Sequence, residues 1–170
     1  CEPVDLRELC TRVLRKFAAM CQQENVTLRH DLGEPDADLV IQCGDPDRLE
    51  QVLTNLLDNA LRHTPAGRSI ELSAEPLQQL DGGRSVRIRV RDEGTGIPPE
   101  DVPYIFERFY KADKARTRGH TGGTGLGLAI VKNLIDAHRG HIEVDSELGK
   151  GTTFSITIPV ELTAIEKANS

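Results

Sequence analysis

The succession of hydrophobic patterns along this chain predicts an α/β two-layer sandwich, a mixed β-sheet with helices packed on one face. Three observations carry the prediction. The patterns run helix, strands, helix, strand pair, loop, helix, strand pair. Too few strand–helix–strand crossovers exist for a parallel doubly wound sheet. In the clearest strand, Val86, Ile88 and Val90 alternate with Arg87, Arg89 and Arg91, which gives a sheet with one apolar and one solvated face.

Each element has its own signal. Residues 5–22 read as an amphipathic helix, because Leu6, Leu9, Val13, Leu14, Phe17 and Cys21 follow the helical period. Asp5 with Glu8 resembles a capping box at its start. Short strands are expected over 26–32 and 39–43. Asp45-Pro46 then reads as an N-cap followed by proline at the first helical position. The helix it opens carries Leu49, Val52, Leu53, Leu56, Leu57 and Ala60, and stops near Thr64-Pro65-Ala66-Gly67. Strands over 70–74 and 86–90 flank Asp81-Gly82-Gly83, a turn signal that makes them an antiparallel pair. Residues 110–125 are polar, basic and rich in glycine, so a mobile loop is expected there. A helix follows over 125–138. Strands over 141–146 and 152–160 meet at Gly149-Lys150-Gly151. There is no internal repeat and no sign of a second domain: residues 1–160 form one unit and 161–170 a tail without pattern.

Composition narrows the functional classes. With 170 residues the chain is long enough to bury a core, and 38% hydrophobic with 28% charged residues is an ordinary globular balance. The formal net charge of -6 argues against a nucleic-acid partner, which needs a basic face. No apolar run approaches the roughly 20 residues of a bilayer span. The first residue is Cys rather than Met, as expected of a fragment excised from a longer protein. The four cysteines, Cys1, Cys10, Cys21 and Cys43, include no CxxC pair, so zinc is not expected. Reduced thiols are the expectation for such a chain.

Four groups of residues could carry chemistry. On the 46–63 helix, Asn55 and Asn59 sit one turn apart at the edge of the apolar stripe, with Gln51, Asp58 and Arg62 further toward solvent. They read either as boundary residues or as amides aimed into a cleft, where an amide oxygen suits Mg²⁺ that shares phosphate oxygens. Asp92-Glu93-Gly94-Thr95-Gly96-Ile97 follows a strand directly. It reads either as a plain turn or as a carboxylate that accepts from an exocyclic amine, with glycines letting backbone approach a base. Gly122-Gly123-Thr124-Gly125-Leu126-Gly127-Leu128 runs into a helix, where exposed N–H groups and the helix dipole attract anions. It is neither a Walker A loop nor a Rossmann fingerprint. Last, Phe106-Glu107-Arg108-Phe109-Tyr110 precedes Lys111, Lys114, Arg116 and Arg118, basic residues able to close over phosphates.

As a set these residues resemble the ATP-binding catalytic domain of two-component sensor histidine kinases, the Bergerat fold shared with gyrase, Hsp90 and MutL. Asn55-Leu56-Leu57-Asp58-Asn59-Ala60 resembles the N box, and Asp92-Glu93-Gly94-Thr95-Gly96 the G1 box. Phe106-Glu107-Arg108-Phe109 resembles the F box, and Gly123-Thr124-Gly125-Leu126-Gly127-Leu128 the G2 box. Gly149-Lys150-Gly151-Thr152-Thr153-Phe154 resembles the final glycine motif. The likeness runs from about Pro3 to Val160, with the motifs in family order.

The resemblance implies ATP and Mg²⁺ as ligands, with Asn59 on the metal and Asn55 beside the phosphates or metal, the two forming the catalytic pair. Asp92 would read the adenine amine and Gly96 would line the base pocket, with Gly94 and Ile97 also among the nucleotide-binding residues. Residues 110–124 would be the ATP lid. Arg62, His63, Tyr110, Lys111, Gly123, Thr124, Gly125, Leu126, Gly127, Leu128 and Thr153 complete the implied nucleotide-binding set. Arg62 stands where the family usually has Lys, and His63 where it commonly has Tyr. Hydrolysing relatives place Glu at the position of Asn55, and an amide cannot take a proton from water. The resemblance therefore implies γ-phosphoryl transfer to a histidine on a separate phosphoacceptor domain of the same parent, for relay to a response-regulator aspartate. His30, His63, His120, His138 and His141 lack that acceptor motif and read as solvated or structural. It further implies a monomeric fragment, a homodimeric parent, and a cytoplasmic domain of a bacterial inner-membrane sensor. Two rival expectations are a nucleotide-binding interaction module without transfer activity and an anti-sigma-type protein serine kinase.

Overall fold

Local chemistry starts each of the two long helices where expected. In the computed structural model, which describes residues 1–80, 82–111 and 125–161, helix α1 spans Leu6–Gln23 and helix α2 spans Pro46–His63. The Asp5 carboxylate accepts from the N–H groups of Arg7 and Glu8, and Asp45 accepts from Arg48 at 3.0 Å. Thr64 ends α2 with its hydroxyl on the Ala60 carbonyl. The predicted stripe of α2 is the buried one, from Leu49 through Ala60. Each large apolar side chain so buried contributes about 1.5–3 kcal/mol, which outweighs the mediocre helix propensity of Asn55 and Asn59.

Strands β1 (Glu2–Asp5) and β3 (Val40–Gly44) pair antiparallel as a small ribbon, and β1 has no signal in the sequence. The main sheet holds β2 (Thr27–Asp31), β4 (Ser69–Gln78), β5 (Arg84–Asp92), β6 (His141–Glu147) and β7 (Gly151–Pro159), in the order β2-β4-β5-β7-β6. Among the described strands only β2 and β4 run parallel, so the sheet is mixed as predicted. Strand β4 reaches past the expected residue 74 and through Pro76. This is tolerated because β2 ends opposite Ser73, leaving that side of β4 without a ladder for proline to break. The β4–β5 loop turns at Gly82, at φ +85; Asp81 of the expected turn signal lies outside the described residues.

Helix α3 spans Gly127–Ala137 and starts two residues later than expected, because Gly125 adopts φ +74, outside the right-handed helical region. The helices cover one face of the sheet, with α2 packed between α1 and α3 and against β4 and β5. His138 ties this layer together: its Nδ1 donates to the Leu134 carbonyl and its Nε2 accepts from the Asp45 N–H at 3.0 Å. On the other face Arg89 pairs with Glu75, as the alternation along β5 requires.

The cysteines correct one expectation. Cys1 and Cys43 form a disulfide rather than two reduced thiols, because the β1–β3 pairing sets Glu2 against Gly44 and so brings Cys1 beside Cys43. Cys10 and Cys21 are free and buried, and burial pushes the Cys10 thiol up to about 12.

Candidate functional site

Strand alternation and register build the heart of the site. One cross-strand row reads Ile70, Asp92, Thr152, Ser146, and all four residues share the helix-facing side of the sheet. The row beside it, Leu72, Val90, Phe154, Val144, is apolar throughout. Asp92 is thus a carboxylate at the end of a hydrophobic face, 3% exposed. Burial pushes its pKa above the ordinary aspartate value, and N–H groups of Gly94 and Thr152 only partly offset this. A buried acceptor of this kind is suited to a ligand N–H.

The loop after Asp92 is clamped on both sides. Glu93 accepts from the Ser69 N–H at 2.9 Å and from its hydroxyl at 2.8 Å, and these bonds hold its carboxyl below the usual range. Opposite, the Gly149 N–H donates to the Thr95 carbonyl at 2.9 Å, and the Ile97 N–H to Ser146 Oγ at 2.8 Å. The glycines are required by close approach. A Cβ on Gly94 would stand 2.6 Å from Asp92 Oδ1 and from the His63 carbonyl, and one on Gly96 only 2.3 Å from the Glu147 carbonyl.

Helices α2 and α3 supply the next wall. Asn55 and Asn59 are half-buried at the edge of the α2 stripe, while Asp58, Arg62 and His63 are exposed. Asn55 Nδ2 reaches the Gly127 carbonyl at 3.5 Å, so the amide lies at the start of α3. Arg62 is paired with Asp58 one turn back. At the start of α3 the N-cap Leu126 offers no side-chain acceptor, which leaves the first-turn N–H groups for an anion. Gly125, Leu126, Gly127 and Leu128 are half-buried there. The Phe109 N–H donates to the Gly125 carbonyl at 2.9 Å, which joins the two ends of the intervening segment. Gly123 and Thr124, like His120 and all but the first two residues of the expected 110–124 lid, lie outside the described residues.

The aromatic segment divides. Phe106, partly buried, packs edge-on against the core residue Phe154 with ring centres 6.3 Å apart. Phe109 is exposed at φ +62. Tyr110 donates its hydroxyl to Asp101, which lifts its pKa to about 12, and its ring leans on Tyr104 at 5.8 Å. Lys111 is exposed. A groove of about 620 Å³ between α1 and β2, lined in part by Leu14, Cys21, Val26 and Leu28, contains none of these residues.

The sequence model of the family described as histidine kinase-, DNA gyrase B-, and HSP90-like ATPase matches residues 44–162. The chain belongs to this family. It is 44% identical over 140 residues to sensor histidine kinase WalK of Bacillus subtilis, covering 82% of this chain and 22% of WalK. To sensor protein SrrB of Staphylococcus aureus it is 51% identical over 115 residues, covering 68% of this chain and 19% of SrrB. The chain thus spans about a fifth of these relatives' length. Among solved structures, the catalytic domain of histidine kinase ThkA superposes with a TM-score of 0.77 at 30% identity, over 93% of this chain and 96% of that one. Full-length ShkA in complex with AMPPNP gives 0.76 at 32% identity, over 95% of this chain and 32% of that one. The two-layer mixed-sheet fold expected from the sequence is the fold of these catalytic domains.

Thr153, one of the residues implied for nucleotide binding, stands apart from the row that holds Asp92. It faces away from Asp92, in the outer row with Arg91 and Asp145, because successive strand residues point to opposite faces. The hydroxyl beside Asp92 belongs to Thr152, 6% exposed. Counting back by two from the core residue Phe154 signals Thr152 in the sequence. Ser146, on a different strand, has no such signal, because only the β6–β7 register brings it into the row.

Proposed function

We propose that this chain binds Mg-ATP and hands its γ-phosphoryl to a histidine on a separate helical domain of the same parent protein, for relay to a response-regulator aspartate. The observation that supports the reading best is the buried Asp92 carboxylate at the end of an apolar face, flanked by glycines that keep its approach open. It accepts the amine of adenine and opposes the carbonyl of guanine. The start of α3 takes phosphate oxygens, and the basic residues Lys111, Lys114, Arg116 and Arg118 add charge.

The donor set fits a magnesium ion that travels with the triphosphate. Among the described residues no group of three or more His, Cys, Asp or Glu is placed to hold a metal, which suits a cation held mostly by phosphate oxygens and water. Asn59 would hold it through its amide oxygen, with Asn55 supporting the phosphates. The bound ion supplies neutralisation of charge on the transferring group. Asn55 offers no base for water, so ATP waits for a protein nucleophile. The parent is read as a homodimeric sensor anchored in a bacterial inner membrane with this domain on the cytoplasmic side. Among the described residues no helix is long and apolar enough to cross a membrane.

The test incubates the chain with γ-labelled ATP, with and without the histidine-bearing hairpin of its parent. Acid-labile label on the hairpin, lost in Asn59→Ala, is the expected result. ATP binding without any transfer points to an interaction module, and acid-stable label on serine of a protein partner to a serine kinase. Either outcome overturns the proposal.

A further inference from the structure

Ser146 Oγ is a junction of three hydrogen bonds that the nucleotide-binding motifs do not explain. It receives the Ile97 N–H at 2.8 Å, lies 3.1 Å from the Gly151 carbonyl and 2.7 Å from Thr152 Oγ1. A hydroxyl has one proton and two lone pairs. The Gly151 carbonyl only accepts, so the Ser146 proton goes there. Thr152 must then donate to Ser146, and Ile97 fills the second lone pair. All three contacts are satisfied in this one arrangement, which saturates Ser146.

The arrangement has two consequences at the base-reading end of the site. The far end of the 92–97 loop is held by a side chain of the β6–β7 hairpin, where Gly96 already lies against Glu147. The Thr152 proton is turned away from its cross-strand neighbour Asp92 and toward Ser146. Asp92 therefore keeps its accepting capacity for a ligand instead of spending it on the Thr152 hydroxyl.

We propose that Ser146 is a positioning residue for base selection: it orients Thr152 and pins Ile97, so that Asp92 stays an open acceptor for an exocyclic amine. This rests on the Mg-ATP reading above. Removing the hydroxyl frees the Thr152 proton to occupy Asp92 and leaves the Ile97 N–H without its acceptor. An amino-purine nucleotide then loses more than a keto-purine one, because only the former depends on Asp92 as acceptor.

The experiment measures Mg-ATP and Mg-GTP affinities by competition against a fluorescent ATP analogue, in the unmodified chain and in Ser146→Ala, Ser146→Thr and Ser146→Cys. Ser146→Ala is expected to weaken ATP roughly 10-fold while GTP changes less than about threefold, so the preference for ATP collapses. Ser146→Thr retains the hydroxyl and is expected to keep the preference within about threefold. Ser146→Cys, close in shape but a weak donor and acceptor, reads the same ratio should the alanine variant not fold. A merely structural serine lowers the amount of folded protein and leaves the ratio alone. An unchanged ratio in Ser146→Ala, with Asp92→Ala still abolishing it, overturns the role of Ser146 and spares the ATP reading. Failure of the unmodified chain to bind Mg-ATP overturns both.

Discussion

Gly151 and Gly149 lie on one hairpin, and replacing each by alanine gives a matched pair whose difference follows from the structure. Both have positive φ, +124 at Gly151 and +79 at Gly149. A Cβ on Gly149 meets nothing within 4 Å, whereas one on Gly151 stands 1.9 Å from the Asp92 carbonyl oxygen. Gly149→Ala therefore costs only the left-handed conformation, about 1–2 kcal/mol, less the few tenths returned by a stiffer unfolded chain. Gly151→Ala adds an overlap that no rotamer relieves, because the obstacle is backbone. Real Cβ contacts stay above 3.0 Å, so the strands must part by more than an ångström where Asp92 faces Thr152. Loss of one or two ladder hydrogen bonds there, at about 0.5–1.5 kcal/mol each, with imperfect repacking, brings the expected cost to about 3–5 kcal/mol. That is a large share of the roughly 5–15 kcal/mol that holds a domain together. Urea unfolding followed by circular dichroism measures both variants, and calorimetry measures Mg-ATP affinity in the folded fraction. Gly151→Ala should be the less stable by about 2–3 kcal/mol and should also bind ATP more weakly, since the shift moves Asp92. Equal stabilities within about 1 kcal/mol, or full ATP affinity in folded Gly151→Ala, would refute the reasoning.

Three further outcomes are expected. Asn59→Ala should weaken Mg-ATP far more than metal-free adenosine in calorimetry; equal losses would make Asn59 structural. Asn55→Glu puts a carboxylate one turn before Asn59, and ATP hydrolysis should rise, by less than the 10²–10⁴-fold that general-base help brings in good geometry. Transfer to a histidine partner should fall, and hydrolysis at background with intact affinity would show that Asn55 is not what restrains water. For Asp92 the sign follows from its raised pKa: the folded state holds the proton more tightly than the unfolded state. Stability without nucleotide is then greatest below the ordinary aspartate pKa and falls as pH rises through the raised value. Asp92→Asn removes this dependence, so the stability difference between the two proteins should change across that window and level off above it. A difference that is flat with pH, read by denaturant midpoints, would contradict the burial argument.

Much of this could be read from the chain alone, and the reason is periodicity. The α2 stripe, the Asp5 and Asp45 caps, and the alternation of Val86, Ile88 and Val90 with arginines are local patterns, and each element formed where its pattern lay. Asn55 and Asn59 at the stripe edge, and Asp92 at a strand end, follow from the same local geometry. The missed or shifted features depend on partners distant in sequence. Strand β1 exists because β3 pairs with it, and the same pairing brings Cys1 to Cys43. Pro76 stays in β4 because β2 stops short of it. Helix α3 begins late because Gly125 meets the backbone of Phe109. The choice of Thr152 over Thr153 is a matter of parity, which one core neighbour, Phe154, decides. Ser146 was beyond sequence reasoning altogether. Its place beside Thr152 and Ile97 is set by hydrogen-bond register between strands and by the glycines that let the 92–97 loop approach the hairpin. The sequence by itself determined which residues carry acceptors and amides and on which elements they ride; only the tertiary register decided which of them meet, because local periodicity constrains facing and carries no information about which strand lies alongside.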